Sequence, residues 1–148
     1  MPPAKRRSFL RTAIPVAVAL LLLTCCLWSF QDNSGTSATA AHAAVSGLPL
    51  AATNVSWFLP GAFGPVELYE FTIDEAGYEQ WVRSWNHSKL EGPKRGQFRI
   101  QRYDQASQSF TWRELENTIA YTWKENDMGV YLVYDLDHRR AYYWSHSR

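Results

Sequence analysis

Hydrophobic and polar positions fall into distinct patterns along this chain. Residues 13–30, AIPVAVALLLLTCCLWSF, form an unbroken uncharged run of eighteen residues. As a helix they would extend roughly 27 Å, close to the ~30 Å hydrocarbon core of a bilayer. The pattern predicts a transmembrane helix acting as a signal anchor. Residues 31–52, QDNSGTSATAAHAAVSGLPLAA, carry one charge and no aromatic ring, and predict a flexible linker. From residue 53 the pattern becomes that of a folded domain. Val66, Leu68 and Glu70 alternate with Glu67, Tyr69 and Phe71, a period of two that marks a strand. Tyr78, Trp81, Val82 and Trp85 recur at helical spacing, behind Asp74 as a ready N-cap. Short alternating runs then follow at 97–103, 109–113, 118–123, 130–134 and 141–146, separated by turn-forming residues.

These elements predict an α+β fold. One N-terminal transmembrane helix and a tether would precede a small antiparallel sheet of four to six strands, covered by one amphipathic helix. The corresponding divisions are a basic tail at 1–12, the anchor at 13–30, the linker at 31–52 and an extracytoplasmic domain at 53–148. Ninety-six residues suffice for one core and not for two.

Charge sets the expected orientation. Lys5, Arg6, Arg7 and Arg11 precede the apolar run, and the next basic residue is Arg83. This asymmetry predicts a single-pass protein with a cytoplasmic N-terminus and an extracytoplasmic C-terminal domain. A cleaved signal peptide is the alternative, with small-residue sites at Ala38-Thr39-Ala40 and Ala41-His42-Ala43. A lipid anchor at Leu23-Thr24-Cys25-Cys26 is a third reading, although lipoprotein boxes carry a small residue where Cys25 stands. Both cysteines lie in the apolar run, so residues 53–148 can hold neither a disulfide nor a cysteine metal site.

Composition narrows the chemistry. Residues 53–148 hold eleven Lys and Arg against thirteen Asp and Glu, which argues against nucleic acid as a partner. His42, His87, His138 and His146 show no metal-ligand spacing, and no metal or cofactor is expected. Asp135-x-Asp137-His138 lacks the further ligands of a calcium loop and reads as a hairpin turn. No catalytic signature is present. The feature with binding potential is aromatic. Six of the seven Trp lie beyond residue 53, and Tyr131, Tyr142 and Trp144 fall on the sheet face expected to point away from the helix. They are the candidate ligand-binding residues, by stacking on a sugar or peptide; ordinary cross-strand packing is the competing role.

The C-terminal stretch VYLVYDLDHRRAYYWSHSR, with Tyr134-Asp135 and Arg140-Ala141-Tyr142-Tyr143, resembles the close of certain small exported or single-pass bacterial membrane proteins to which no activity is assigned. The resemblance spans residues 65–148 and implies an envelope location without implying a reaction. The sequence thus leads to an expected function: a single-pass protein displaying a non-catalytic domain that binds an envelope protein or a glycan, held to the lipid bilayer through residues 13–30. The rival is a small envelope hydrolase drawing on Asp74, Glu114, Glu116, His138 and His146. A secreted or lipid-anchored form of the same domain is the remaining alternative.

Overall fold

The computed structural model describes residues 14–24, 31–61, 64–85 and 89–147. Seven strands form one antiparallel sheet: β1 (Asn33–Thr39), β2 (Thr53–Leu59), β3 (Val66–Thr72), β4 (Glu91–Asp104), β5 (Ser109–Glu125), β6 (Met128–Asp135) and β7 (Arg140–His146). The spatial order is β1-β2-β3-β7-β6-β5-β4. Two antiparallel meanders, β1–β3 and β4–β7, are therefore sewn together by the pairing of β3 with β7. Helix α1 (Glu75–Ser84) carries the chain from β3 across the sheet to its far edge at β4.

Three expectations are corrected. The sheet has seven strands rather than four to six, and the fold is largely sheet. Part of the expected linker is structured. β1 pairs with β2 along its length, and a 3-10 turn at Ala40–His42 follows. Ala40, Ala43, Val45 and Leu48 then pack against the core. The expected transmembrane helix and signal anchor are also overturned, because no helix among the described residues is long and apolar enough to cross a membrane. Of the apolar run, residues 14–24 are helical, which as eleven residues make about 16 Å. Thr24 Oγ1 donates back to the carbonyls of Leu20 and Leu21 in that stretch, at 2.8 and 3.0 Å. The basic tail at 1–12, Cys25, Cys26 and the aromatic end of the run lie outside the described residues.

Helix α1 forms where the capping residues direct. The Asp74 carboxylate accepts the Gly77 N–H at 2.8 Å, Glu75 sits in the first turn and Arg83 in the last. Its inward face buries Tyr78, Trp81 and Val82 against Tyr69, Phe71, Ile119, Leu132 and Tyr134. Buried hydroxyls find carbonyl partners: Tyr78 Oη is within reach of Leu132 O at 2.8 Å and Ile119 O at 3.2 Å, and Tyr134 Oη donates to Ile73 O at 3.0 Å. Replacing Asp74 with Ala removes the cap and is expected to cost about 1 kcal/mol, read as a shift in urea midpoint with unchanged slope.

The opposite sheet face is covered by the sheet itself. Register shifts in the β4–β5 pair, between Glu91 and Lys94 and between Gly96 and Phe98, bend this long hairpin. Gly96 takes φ +130° at the bend, a conformation that side chains disfavour. The outer half of the hairpin then crosses the face away from α1. Ile100 and Leu115 close a second core over Ala120, Tyr131, Val133 and Tyr142. At the hairpin tip, Gln105 Nε2 donates to Trp57 O at 3.0 Å and to Gly35 O at 3.3 Å, which pins the tip to β1 and β2.

Candidate functional site

The alternation of β3 places Tyr69 and Phe71 under α1 and sends Leu68 and Glu70 to the opposite face. Glu70 is 7% exposed. A carboxylate at that depth needs charged partners, and two are present. Arg102 of β4 donates through Nε to Glu70 Oε2 at 2.6 Å and through Nη2 to Oε1, a two-point clasp. Arg140, at the start of β7, donates through Nη2 to Glu70 Oε1 at 2.9 Å. It also reaches Asn54 O and Thr72 Oγ1, each at 3.3 Å. Asn54 itself has φ +49°, next to a slip in register between Thr53 and Ser56. That irregularity in β2 coincides with a backbone carbonyl turned to the guanidinium.

This triad borders a cleft of about 660 Å³ between β1–β2 and the tip of the β4–β5 hairpin. Its remaining walls are mainly small polar groups, among them Thr36, Ser37, Ser56 and Thr111, with Tyr103 and Val55 as apolar surface. Asp104 stands at the rim, where its oxygens accept Ala106 N–H at 3.0 Å and Ser107 Oγ at 2.7 Å within the hairpin turn.

Burial alone would raise the Glu70 pKa. The Arg102 hydrogen bond and the charges of Arg140 and Arg102 outweigh it, and the carboxyl is held below its ordinary value of 4.5. A lowered native pKa gives stability that is present above 4.5 and disappears as pH falls through the depressed value. Glu67, on the other face of β3, has the opposite sign. Burial raises its pKa, only partly offset by hydrogen bonds from Tyr143 and Ser145, so its contribution is lost as pH rises. Replacing Glu70 with Gln leaves two arginines without their counter-ion. The expected cost at pH 7 is about 3 kcal/mol, with a shallower loss of stability on acidification below pH 4.5 than in the parent protein. Chemical denaturation across pH 3 to 8 checks both (roughly the span of ordinary carboxylate and neutral conditions).

The aromatic candidates all lie on the face away from α1, beneath and beside the hairpin. Tyr131 and Tyr142 are buried at 6% and 3% exposure, and Trp144 is half-buried. Trp144 stacks on Tyr131 at 4.4 Å between ring centres and meets the edge of Trp112 at 5.7 Å. The rings that reach solvent here belong to the hairpin: Trp112 is 50% and Phe110 43% exposed. Arg99 sits over Trp112, and Lys124 over Tyr131. Trp144 Nε1 and Tyr142 Oη are buried without a hydrogen-bond partner among the described residues.

The residues a hydrolase would need are dispersed. Asp74 caps α1, and Glu114 pairs with Arg99 at 3.2 Å. Glu116 accepts from Gln97, and His138 is paired with Asp135 at 2.8 Å inside the final turn. His146 stacks on Trp144. None of these five lines the cleft beside Glu70 or the three smaller cavities at Ser56–Tyr143, Leu59–Ser147 and Gly47–Ser84. Among the described residues there is also no group of three His, Cys, Asp or Glu placed to hold a metal ion.

The Glu70–Arg102–Arg140 cluster is absent from the sequence-based candidates. One signal pointed to it: Glu70 shares the alternating row of Val66 and Leu68, and a carboxylate in an apolar row demands partners. Nothing local names Arg102 and Arg140, which lie 32 and 70 positions away. No family model matches the chain, and no curated protein or solved structure matches it.

Proposed function

We propose that this chain is a ligand-binding protein with no catalytic role of its own, and that its ligand occupies the cleft beside Glu70. The observation that carries this reading is the state of Glu70. It is the buried carboxylate at the cleft, and its two arginines hold its pKa low. A general base or acid works best with a pKa near the working pH, and a buried carboxylate reaches that by a shift upward. Glu70 is shifted the other way and clasped at both oxygens, which suits a fixed charge that organises a pocket. The dispersal of Asp74, Glu114, Glu116, His138 and His146 supports the same reading.

Incubation of the protein with nitrophenyl acetate and nitrophenyl glycosides tests it. No turnover above the Glu70→Gln variant is expected. Turnover that this variant lacks would replace the binding reading with the hydrolase one. A second reading keeps the ligand on the aromatic surface, favoured by the exposed Trp112 beside Trp144. Under it, Trp112→Ala removes glycan binding and a blocked cleft leaves it intact.

A further inference from the structure

The charges and donors left over in the cleft define what it would hold. Arg102 and Arg140 bring two positive charges to its floor, and Glu70 returns one negative charge. Asp104 is exposed at the rim, with its oxygens engaged in the hairpin turn, and its charge still acts on Arg102 from there. Away from that rim, Glu70 and its two arginines leave one net positive charge. It also keeps unused donors: Arg102 Nη1 and Arg140 Nε make no hydrogen bond among the described residues. An arginine presents five N–H donors in a planar fork matched to carboxylates. A phosphate monoester, at about −1.5 to −2, would overshoot the single charge. A carboxylate matches it.

The rest of the wall sets the body of the ligand. Pockets for drug-like molecules are mainly apolar with a few polar anchors. Here Thr36, Ser56 and Thr111 supply hydroxyl groups around the cavity, while Ser37 and Gln105 are engaged with backbone at Thr39 and at Gly35 and Trp57, and Tyr103 supplies an aromatic surface. Hydroxyls serve as donor and acceptor alike, which complements a ligand that is itself rich in hydroxyls. The volume of about 660 Å³ leaves room for one or two sugar rings.

We infer that the cleft is a binding site for an acidic sugar, a uronic acid or a short glycan ending in one, with its carboxylate on the unused edges of Arg102 and Arg140. This rests on the binding reading above and names its ligand class.

Titration of the full-length protein with glucuronate, glucose and inorganic phosphate, followed by ligand-observed NMR and calorimetry, tests the inference. Glucuronate should bind at least tenfold more tightly than glucose or phosphate, and more weakly as salt rises. Arg102→Gln should weaken glucuronate at least tenfold. Because that change also loosens the Glu70 clasp, Thr111→Trp is the second variant. Thr111 is exposed on the hairpin directly opposite Arg102 in the β4–β5 pairing, and a Trp side chain there would cover the cleft edge of that guanidinium while leaving both arginines in place as counter-ions to Glu70. It should abolish glucuronate binding with an unchanged melting temperature. Equal affinity for glucose and glucuronate, both lost in Thr111→Trp, would overturn the acidic-sugar assignment and leave the binding reading standing. Preference for phosphate, or no binding of any probe, would also overturn the assignment. So would glucuronate binding that survives Thr111→Trp. Turnover of the nitrophenyl substrates would remove the binding reading itself.

Discussion

A chain ending at Arg140 should not fold. β7 lies in the middle of the sheet, paired along its length with β3 on one side and β6 on the other. Removing residues 141–148 deletes both ladders at once and leaves two three-stranded pieces with no paired strand between them. The strand also carries Ala141, Tyr142 and Tyr143, all buried, and Tyr143 stacks on Tyr69 at 4.2 Å across the seam. Each lost aromatic ring forfeits about 1.5–3 kcal/mol of burial, and the bared ladders add to that. Domains of this size have about 5–15 kcal/mol to lose. The truncated chain should show no cooperative melt and a circular dichroism spectrum of reduced sheet content. An unchanged spectrum and melting temperature would contradict the central position of β7. The effect is larger than the alternation of residues 141–146 suggests. By sequence order this strand reads as the last of a meander, whose loss would bare one hydrophobic edge. The pairing with β3 makes it the seam.

The difference between what the sequence reveals and what it hides has physical causes. α1 is legible because an amphipathic helix on a sheet must show its apolar stripe at 3.6-residue spacing. β3 and β6 are legible because large side chains alternate there. The edge strands are hidden. β1 reads NSGTSAT, a composition that looks like linker. It is a strand because it needs no bulk: it adds an edge to β2, and Gly35 lies under the ring of Trp57, where a Cβ would come within 2.6 Å of Cζ2. The first half of β4, EGPKRG, reads as loop because Gly and Pro are rare in strands, yet an edge strand tolerates both. β5 reads as two strands because Arg113 to Asn117 is polar. In fact the strand continues and bends there, and its polar side chains face water on the folded-over hairpin. The cleft is a product of that bend. It forms only when the hairpin tip meets β1 and β2, so its residues come from six separate strands. A single buried carboxylate was its sole trace along the chain.

Replacing Trp81 with Ala should cost about 3–5 kcal/mol. Trp81 is 2% exposed at the centre of the face α1 turns to the sheet. Its ring meets Phe71 edge-on at 5.0 Å and Trp85 edge-on at 6.0 Å, and lies 6.3 Å from Tyr69. These geometries add to the burial of the indole itself, one of two tryptophans in this core. The indole also reaches beyond the helix, since Nε1 donates to Gly47 O at 3.0 Å. That bond ties down the segment whose Val45 and Leu48 close the same core. Alanine therefore opens a cavity and unfastens the cover over it. Trp81→Phe separates the two effects: it keeps most of the ring contacts and loses the hydrogen bond, for an expected cost of about 1–2 kcal/mol. Urea denaturation of the three proteins at neutral pH measures both steps. A loss under about 1 kcal/mol for the alanine variant would mean that α1 does not press this ring into the sheet. An equal cost for the two variants would mean that the hydrogen bond to the Gly47 carbonyl, rather than ring burial, dominates at this position.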